Sequence, residues 1–431
     1  MNEHCFFDNY AARIGLSRIA SRRALILALS LCALACDRTD DWLWGPEEAA
    51  KAAARKATDA GAASDSANAA ETSPVADTSV ADTSALIDIG QPGDADASDT
   101  VEEGAGSKAQ TWNVLIYMSS DNDLEASGIF DLEEILEVDS APHLRFYIQV
   151  DRAEKFYKLG LKDIKDWTGT KRLVVKDGKV EEVSDLGEIN MGKAESLRDF
   201  IIWGTGQYKA DKNVFVMWNH GMGWRGFGGD DYDKDLLTIA EIKTGIEQGL
   251  AGAKIDKFDL AGFDACLMGD IVAMSMMRPF ALYLIASEDL EPTHGWNYDA
   301  FNIVAEDPQT SIVELGTAIV TRFKKQARSR QRQYSITLAL YDMAKFEAVK
   351  KAFDAFAATL SSELAKGSDK AVGGAVMKTL FVARNEVQRF GRSPTPKHDY
   401  QMVDIGDLGA RLSPASAALK SAHKEFEGAV E

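Results

Sequence analysis

The chain has 431 residues, with 48 lysines and arginines against 67 aspartates and glutamates, a formal charge of -19. That balance argues against a nucleic-acid binder, whose affinity rests on basic side chains neutralising phosphate. The hydrophobic share of 45% supplies a sizeable core. Four cysteines, Cys5, Cys32, Cys36 and Cys266, make no disulfide framework, and only Cys266 lies in the body of the chain.

Arg13, Arg18, Arg22 and Arg23 make a basic start, and an apolar run from Ala24 to Ala35 follows. The run is shorter than the ~20 residues of a membrane-spanning helix and has the layout of an export signal. Ala33-Leu34-Ala35-Cys36 resembles a bacterial lipobox, with Leu one position later than usual. That resemblance implies that residues 1–36 direct export and that Cys36 is lipidated, anchoring the protein to a membrane. A plain cleaved signal, giving a secreted protein, and an uncleaved anchor are the alternatives.

Residues 37–110 change character. Ala, Asp, Ser, Thr and Gly dominate, and Val-Ala-Asp-Thr-Ser occurs at 75–79 and again at 80–84. Such a segment buries too little apolar surface to offset its chain entropy and reads as a flexible, acidic tether.

From residue 111 to 431 the pattern is globular. Short, nearly all-apolar runs recur at 112–118, 144–150, 214–218, 258–263, 282–286 and 335–341. Runs of this length suit strands buried on both faces, hence a mainly parallel sheet. Helical patterns lie between them at 124–138, 194–204 and 238–250, and further helices of the outer layer are expected at 346–360 and 364–390. The alternation predicts a three-layer α/β/α domain. Residues 171–183, with Lys-Asp-Gly-Lys at their centre, predict an appended β-hairpin.

Polar residues cluster where the strands end: Ser119 to Asp123, Asp151-Arg152, Asn219-His220-Gly221, Asp264-Ala265-Cys266 and Ser287-Glu288-Asp289. Ligands of open α/β sheets bind outside the carboxyl ends of the strands, which places His220 and Cys266 in the candidate site. A cysteine nucleophile needs thiolate character, access and a proton-handling partner. The apolar run from Leu267 to Met277 predicts a helix whose N-terminus lies near Cys266 and favours the thiolate. The amides of Gly221 and Cys266 are candidate donors to an oxyanion, and His220 is the candidate proton carrier. The plainer readings are a buried small cysteine and a structural histidine; zinc lacks its ligand spacing.

At these residues the chain resembles the clostripain family of cysteine peptidases. Asn219-His220-Gly221-Met222-Gly223-Trp224 resembles its histidine motif and Phe263-Asp264-Ala265-Cys266-Leu267-Met268 its cysteine motif. Further colinear pieces are Asp121 to Glu125, Val150-Asp151-Arg152, Asn190-Met191-Gly192, Asp230-Asp231, Ser287-Glu288, Gly295 to Tyr298 and Tyr400 to Leu408, so the resemblance covers about residues 112–410. It implies a caspase-like fold, a Cys266-His220 dyad and cleavage of peptides and proteins after Arg and sometimes Lys. Asp264 matches the family position that faces the basic side chain, as a carboxylate suits a guanidinium; the alternative is a helix cap. Ser287, Glu288 and Asp289 are candidates for the same pocket. The resemblance also implies that self-cleavage in a loop near here can activate the protein, which makes Lys234, in the loop Asp230 to Asp235, the candidate processing site; the alternative is an exposed charged turn. No cofactor is expected to be required. Calcium is a candidate ligand of Asp231 and Asp233, because some relatives depend on it, although Asp231, Asp233 and Asp235 lack the rest of an EF-hand. The protein is expected to be a monomer that meets the membrane through its lipid. The family continues past a Tyr-Asp-Leu segment into further strand, so the region before Glu431 is expected to be shortened or divergent. Two other readings remain: a non-catalytic surface-anchored binding protein on the same fold, and a transpeptidase or self-processing maturation factor.

Overall fold

The computed structural model describes residues 109–154, 161, 164–330, 336–366, 372–391 and 400–430. The export signal with Cys36, and the tether up to residue 108, lie outside the described residues. No helix of the described residues is long and apolar enough to cross a membrane.

The elements alternate along the chain. β1 (Trp112–Ser120), α1 (Glu125–Glu137), β2 (Leu144–Arg152), β3 (Gly169–Lys176) and β4 (Lys179–Gly187) come first. Then follow α2 (Ala194–Gln207), β5 (Lys212–Trp218), the short strands β6 (Phe227–Asp230) and β7 (Asp235–Leu237), α3 (Ile239–Ala253) and β8 (Phe258–Asp264). α4 (Ile271–Met277), β9 (Ala281–Ala286), α5 (Asn302–Glu306), α6 (Ile312–Ser329) and β10 (Ala339–Asp342) complete the α/β body. α7 (Phe346–Ala365), α8 (Val372–Glu386), a two-stranded ladder of β11 (Arg389–Phe390) and β12 (Met402–Val403), α9 (Ile405–Leu412) and α10 (Ala417–Val430) follow.

The central sheet has eight strands in the order β10-β9-β8-β5-β1-β2-β3-β4. The five strands from β9 to β2 are parallel, and β10, β3 and β4 add antiparallel edges. β1 shows why these runs form central strands. Val114, Ile116 and Met118 pack on one face with Ile129 and Leu132 of α1 and Ile319 and Phe323 of α6. Leu115 and Tyr117 pack on the other with Leu197 and Phe200 of α2 and Ile242 and Ile246 of α3. A period of two with both faces covered requires an unbroken apolar run. The three-layer reading of the sequence therefore holds.

Local chemistry fixes the joints. The β3–β4 hairpin turns at Asp177 and Gly178, with φ of 52° and 69°, the left-handed pair that a two-residue hairpin demands and Asp-Gly supplies. Thr238 and Glu241 form a capping box at the start of α3, and Ser311 and Glu314 another at α6. α2 and α3 approach closely at Gly245 and Gly249, where a Cβ would sit 2.8 Å from Ala194 O and from Ile201 Cβ.

Two expectations need correction. The apolar run after Cys266 is not helical from its start: Cys266 to Gly269 form turns, Leu267 has φ of 66°, and α4 begins only at Ile271, capped by Asp270. The side chains of Leu267 and Met268 are wholly buried, so their apolarity reflects packing of a loop and not helical periodicity. The helices after β10 also do more than cover the sheet. Phe346 packs in the second sheet layer, but Phe356 and Leu360 join Val376, Leu380, Leu412 and Leu419 in a separate helical core. The last central strand is the shorter β10; Ser335 lies outside the described residues.

Candidate active site

Sheet register brings the polar strand ends into line. Met118 pairs with Trp218, and Trp218 pairs with Asp264. His220 therefore leaves the sheet two residues after the strand position beside Asp264, and Cys266 leaves two residues after Asp264 itself. The two loops touch at Gly221. A Cβ on Gly221 would overlap the Cys266 carbonyl oxygen and lie 2.9 Å from Met268 Cγ. Only glycine permits that approach.

Asparagines hold the histidine loop. Asn122 donates to Asn219 Oδ1 (3.0 Å) and to Gly229 O (2.7 Å), and Asn219 donates to Ser119 O. Gly228 N–H donates to His220 O at 2.8 Å. The imidazole is anchored through Nε2, 2.9 Å from Asp123 Oδ1. With Nε2 donating to that carboxylate, Nδ1 of a neutral ring is an acceptor. Asp123 belongs to the Asp121 to Glu125 motif, but nothing in that motif signals a partner 97 residues away.

Cys266 is half-buried. Its Sγ accepts the Glu291 N–H at 3.2 Å and lies 3.9 Å from Glu291 O. Burial first, then the Glu291 and Asp289 carboxylates, push its thiol up to about 12. The helix-terminus assistance expected from the sequence does not operate, because α4 starts five residues away. The loop is instead stitched to the segment after β9: Leu267 N–H donates to Asp289 O (3.1 Å) and Gly269 N–H to Ser287 O (2.7 Å).

Asp264 does not cap a helix. Its carboxylate is buried and accepts Trp296 N–H (3.0 Å) and Tyr298 O–H (3.1 Å). Gly295, at φ of 60°, lies against it. Sequence reasoning missed Glu291. Both of its carboxylate oxygens are buried without a hydrogen-bond partner, and burial followed by the Asp264 charge raises its pKa well above the usual carboxylate range. Ser287 and Asp289 are engaged within their own loop: Ser287 Oγ donates to Asp289 O and meets Thr337 Oγ1, both at 2.9 Å, and Asp289 Oδ1 accepts from Leu290 and Gly391. Glu288 is half-buried, its carboxyl raised by burial and by Asp404 and Asp289.

Lys234 sits exposed in the β6–β7 turn with φ of 55°. Asp231 and Asp233 share that turn, Asp233 exposed and Asp231 half-buried, and Asp235 Oδ2 accepts from Lys193 (2.7 Å) and Asn190 (3.0 Å). Tyr400 and Arg225 meet, the guanidinium 5.5 Å from the ring centroid.

A mainly parallel sheet whose carboxyl edge joins a histidine loop to a cysteine loop beside buried carboxylates defines a cysteine-peptidase fold. The chain belongs to the clostripain family, whose model matches residues 116–422. It is 28% identical to clostripain of Hathewaya histolytica over 324 residues, covering 63% of this chain and 60% of that protein. The chain thus aligns with less than two thirds of that relative's length. A secreted C11 cysteine protease from Bacteroides thetaiotaomicron, solved with an irreversible peptide inhibitor, is similar in structure at a TM-score of 0.51 and 16% identity, covering 74% of this chain and 83% of that one. An inactive zymogen C11 protease from Parabacteroides distasonis is similar at 0.51 and 20%, covering 74% and 81%. At these identities the likeness speaks to the fold.

Proposed function

We propose that the protein is an exported cysteine endopeptidase that cleaves peptides and proteins after arginine, and after lysine as a second choice. The observation that carries this reading is the pair of buried carboxylates, Asp264 and Glu291, beside Cys266, with both Glu291 oxygens unpartnered. A buried carboxyl without a partner is costly. A substrate guanidinium would supply a charge-assisted, bidentate partner.

In the proposed reaction the Cys266 thiol gives its proton to His220, and the sulfur attacks the scissile carbonyl carbon. The amides of Gly221 and Cys266 stabilise the oxyanion. His220 protonates the leaving amine as the C–N bond breaks, leaving a thioester. Water, deprotonated by His220, then releases the carboxylate product and the thiol. Asp123 orients the ring throughout.

The resting structure disfavours the thiolate, which supports a latent form that converts when the 287–291 loop moves. Cleavage after Lys234, in an exposed and left-handed turn, is the proposed trigger. Lipidation at Cys36, on a tether ending near residue 110, is the proposed anchor, and a monomer is the proposed state. The test is cleavage of paired peptidyl-Arg, peptidyl-Lys and peptidyl-Ala reporters by the purified protein and by Cys266→Ala. Arg cleavage lost in the variant is the expected result; no cleavage by folded wild-type protein, cut or uncut, would favour a non-catalytic binding protein on this fold.

A further inference from the structure

The histidine loop carries a cation that the proposed reaction does not use. Arg225 follows His220 in the same loop, at the end of the short helical turn Gly223–Arg225. Its guanidinium carbon lies 5.4 Å from the centroid of the Trp224 ring and 5.5 Å from that of Tyr400. Among the described residues its side chain forms no ion pair and no hydrogen bond. Acids are abundant in a chain of charge -19, and Arg152 shows the usual outcome, pairing with Glu125 (2.8 Å) and Asp166 (2.9 Å). Aromatic rings attract the charge of Arg225 but offer no oxygen to its five N–H donors.

The β11–β12 ladder places this cation beside Cys266. Tyr400 precedes β12, and it flanks Gly391 together with Leu267, the residue after Cys266: a Cβ on Gly391 would lie 3.0 Å from Tyr400 Cδ2 and from Leu267 Cδ2. Burial, then the Cys266 charge, raise the Tyr400 phenol, and the Arg225 charge lowers it. Met402 of β12 packs on the histidine loop, where a Cβ on Gly223 would sit 3.0 Å from its Sδ. The ladder thus touches the histidine loop at Gly223 and Arg225 and the cysteine loop at Leu267. Trp224, Arg225 and Tyr400 are each half-buried, so the guanidinium is held and still reachable.

We infer that Arg225 forms a subsite for a carboxylate, the aspartate or glutamate side chain of a bound peptide within three residues of the scissile bond. An extended peptide advances about 10 Å in three residues, enough to run from Cys266 past the Tyr400 ring. The two rings hold the guanidinium before a ligand arrives, which lowers the ordering cost of binding. A carboxylate would then take the open donors in a charge-assisted, bidentate contact.

The choice of a peptide as the ligand rests on the peptidase reading; the preference of Arg225 for a carboxylate does not. Asp264 and Glu291 offer negative charge to a basic side chain, and Arg225 offers the opposite sign from the other loop. Such a cleft selects peptides in which a basic and an acidic residue stand close together in sequence. A purely structural tie between the ladder and the histidine loop would use the same ring contacts, but it would affect all peptides alike. Recognition changes the selectivity between peptides.

The test uses the full chain and a set of C-terminally amidated peptides with Arg before the scissile bond. Each carries either Glu or Gln at one position, among the two before the Arg and the three after it. Binding is read by fluorescence anisotropy with the chain carrying Cys266→Ala, and kcat/KM with the otherwise unchanged chain. The expected result is a preference for Glu over Gln at one position of about fivefold, the upper range of a partly exposed ion pair. Arg225→Gln is expected to bring that ratio to one, and Arg225→Glu to transfer the preference to a Lys peptide. Arg225→Lys keeps the charge and loses the fork; it is expected to lower the ratio about twofold, and it keeps the test open if the other variants fail to fold. Equal affinity for Glu and Gln peptides at every position, absence of binding included, would overturn the subsite. So would a Glu preference that the Arg225 variants leave intact while both peptides lose affinity equally, the mark of a structural tie. A Glu preference in binding with no cleavage by the unchanged chain would overturn the peptidase reading and leave the subsite standing.

Discussion

His220 Nε2 lies 2.9 Å from Asp123 Oδ1, and the Asp123 side chain is 8% exposed against 30% for the histidine. The carboxylate is the sheltered partner and the ring the accessible one. That arrangement fixes the ring plane and, in a neutral ring, the tautomer, with Nδ1 the acceptor that the proposed reaction uses.

Replacing Asp123 by Asn keeps the size of the side chain and removes its charge. The expected outcome is a fall in kcat on the order of 10- to 100-fold, less than the roughly 100- to 10,000-fold that a positioned proton carrier itself contributes, because Asp123 only orients that carrier, with KM little changed. Steady-state kinetics on a peptidyl-Arg reporter separates the two constants. An equal loss through KM alone would show that Asp123 serves binding.

Gly221→Ala forces a methyl group into the Cys266 carbonyl. Overpacking of this kind costs about 1–3 kcal/mol, so a clear drop in Tm and loss of activity are expected together. Gly206, near the end of α2, has nothing within 4 Å of an added methyl, and Gly206→Ala is expected to leave Tm unchanged or raise it, by helix propensity. Thermal unfolding of the two variants side by side makes the comparison.

Glu291→Gln tests the pocket. Removing one partner of a buried charge pair costs about 2 kcal/mol or more, so kcat/KM for Arg reporters is expected to fall roughly 30-fold or more. A neutral reporter is expected to change little. Equal losses on both would make Glu291 a structural residue of the Cys266 loop.

The thiol raised to about 12 predicts slow alkylation in the resting form. At pH 8 about one thiol in ten thousand is then ionised, and iodoacetamide labelling should climb about tenfold per pH unit up to that value. The stability sign agrees: a raised thiol pKa stabilises the fold below the ordinary thiol range and loses that contribution as pH climbs towards 12. Rapid labelling at pH 7 by uncut protein would contradict the latent state.

The parts legible in the sequence are those written locally. β1 announced itself as an unbroken apolar run because both its faces are covered, and Asp177-Gly178 announced its turn because few other pairs adopt it. That the His220 and Cys266 loops meet was legible because both leave the carboxyl ends of neighbouring strands. The side chains that these loops contact were not. Asp123 and His220 are separated by 97 residues, and Glu291 follows no strand directly. The clustered carboxylates of Asp121, Asp151, Glu188 and Asp230 come from four separate segments, without a spacing that any one element would impose. The buried loop at Leu267 and Met268 misled for a physical reason: apolar residues mark burial before they mark helix.

β4 forms one margin of the central sheet and β10 the other. β4 carries Lys179, Glu181, Glu182 and Asp185 along a largely exposed length, and β10 has only four residues. One margin repels a docking strand by charge and the other is too short to template it. A sheet with such margins resists extension by neighbouring chains, so crowded copies of this protein have little means of joining strand to strand.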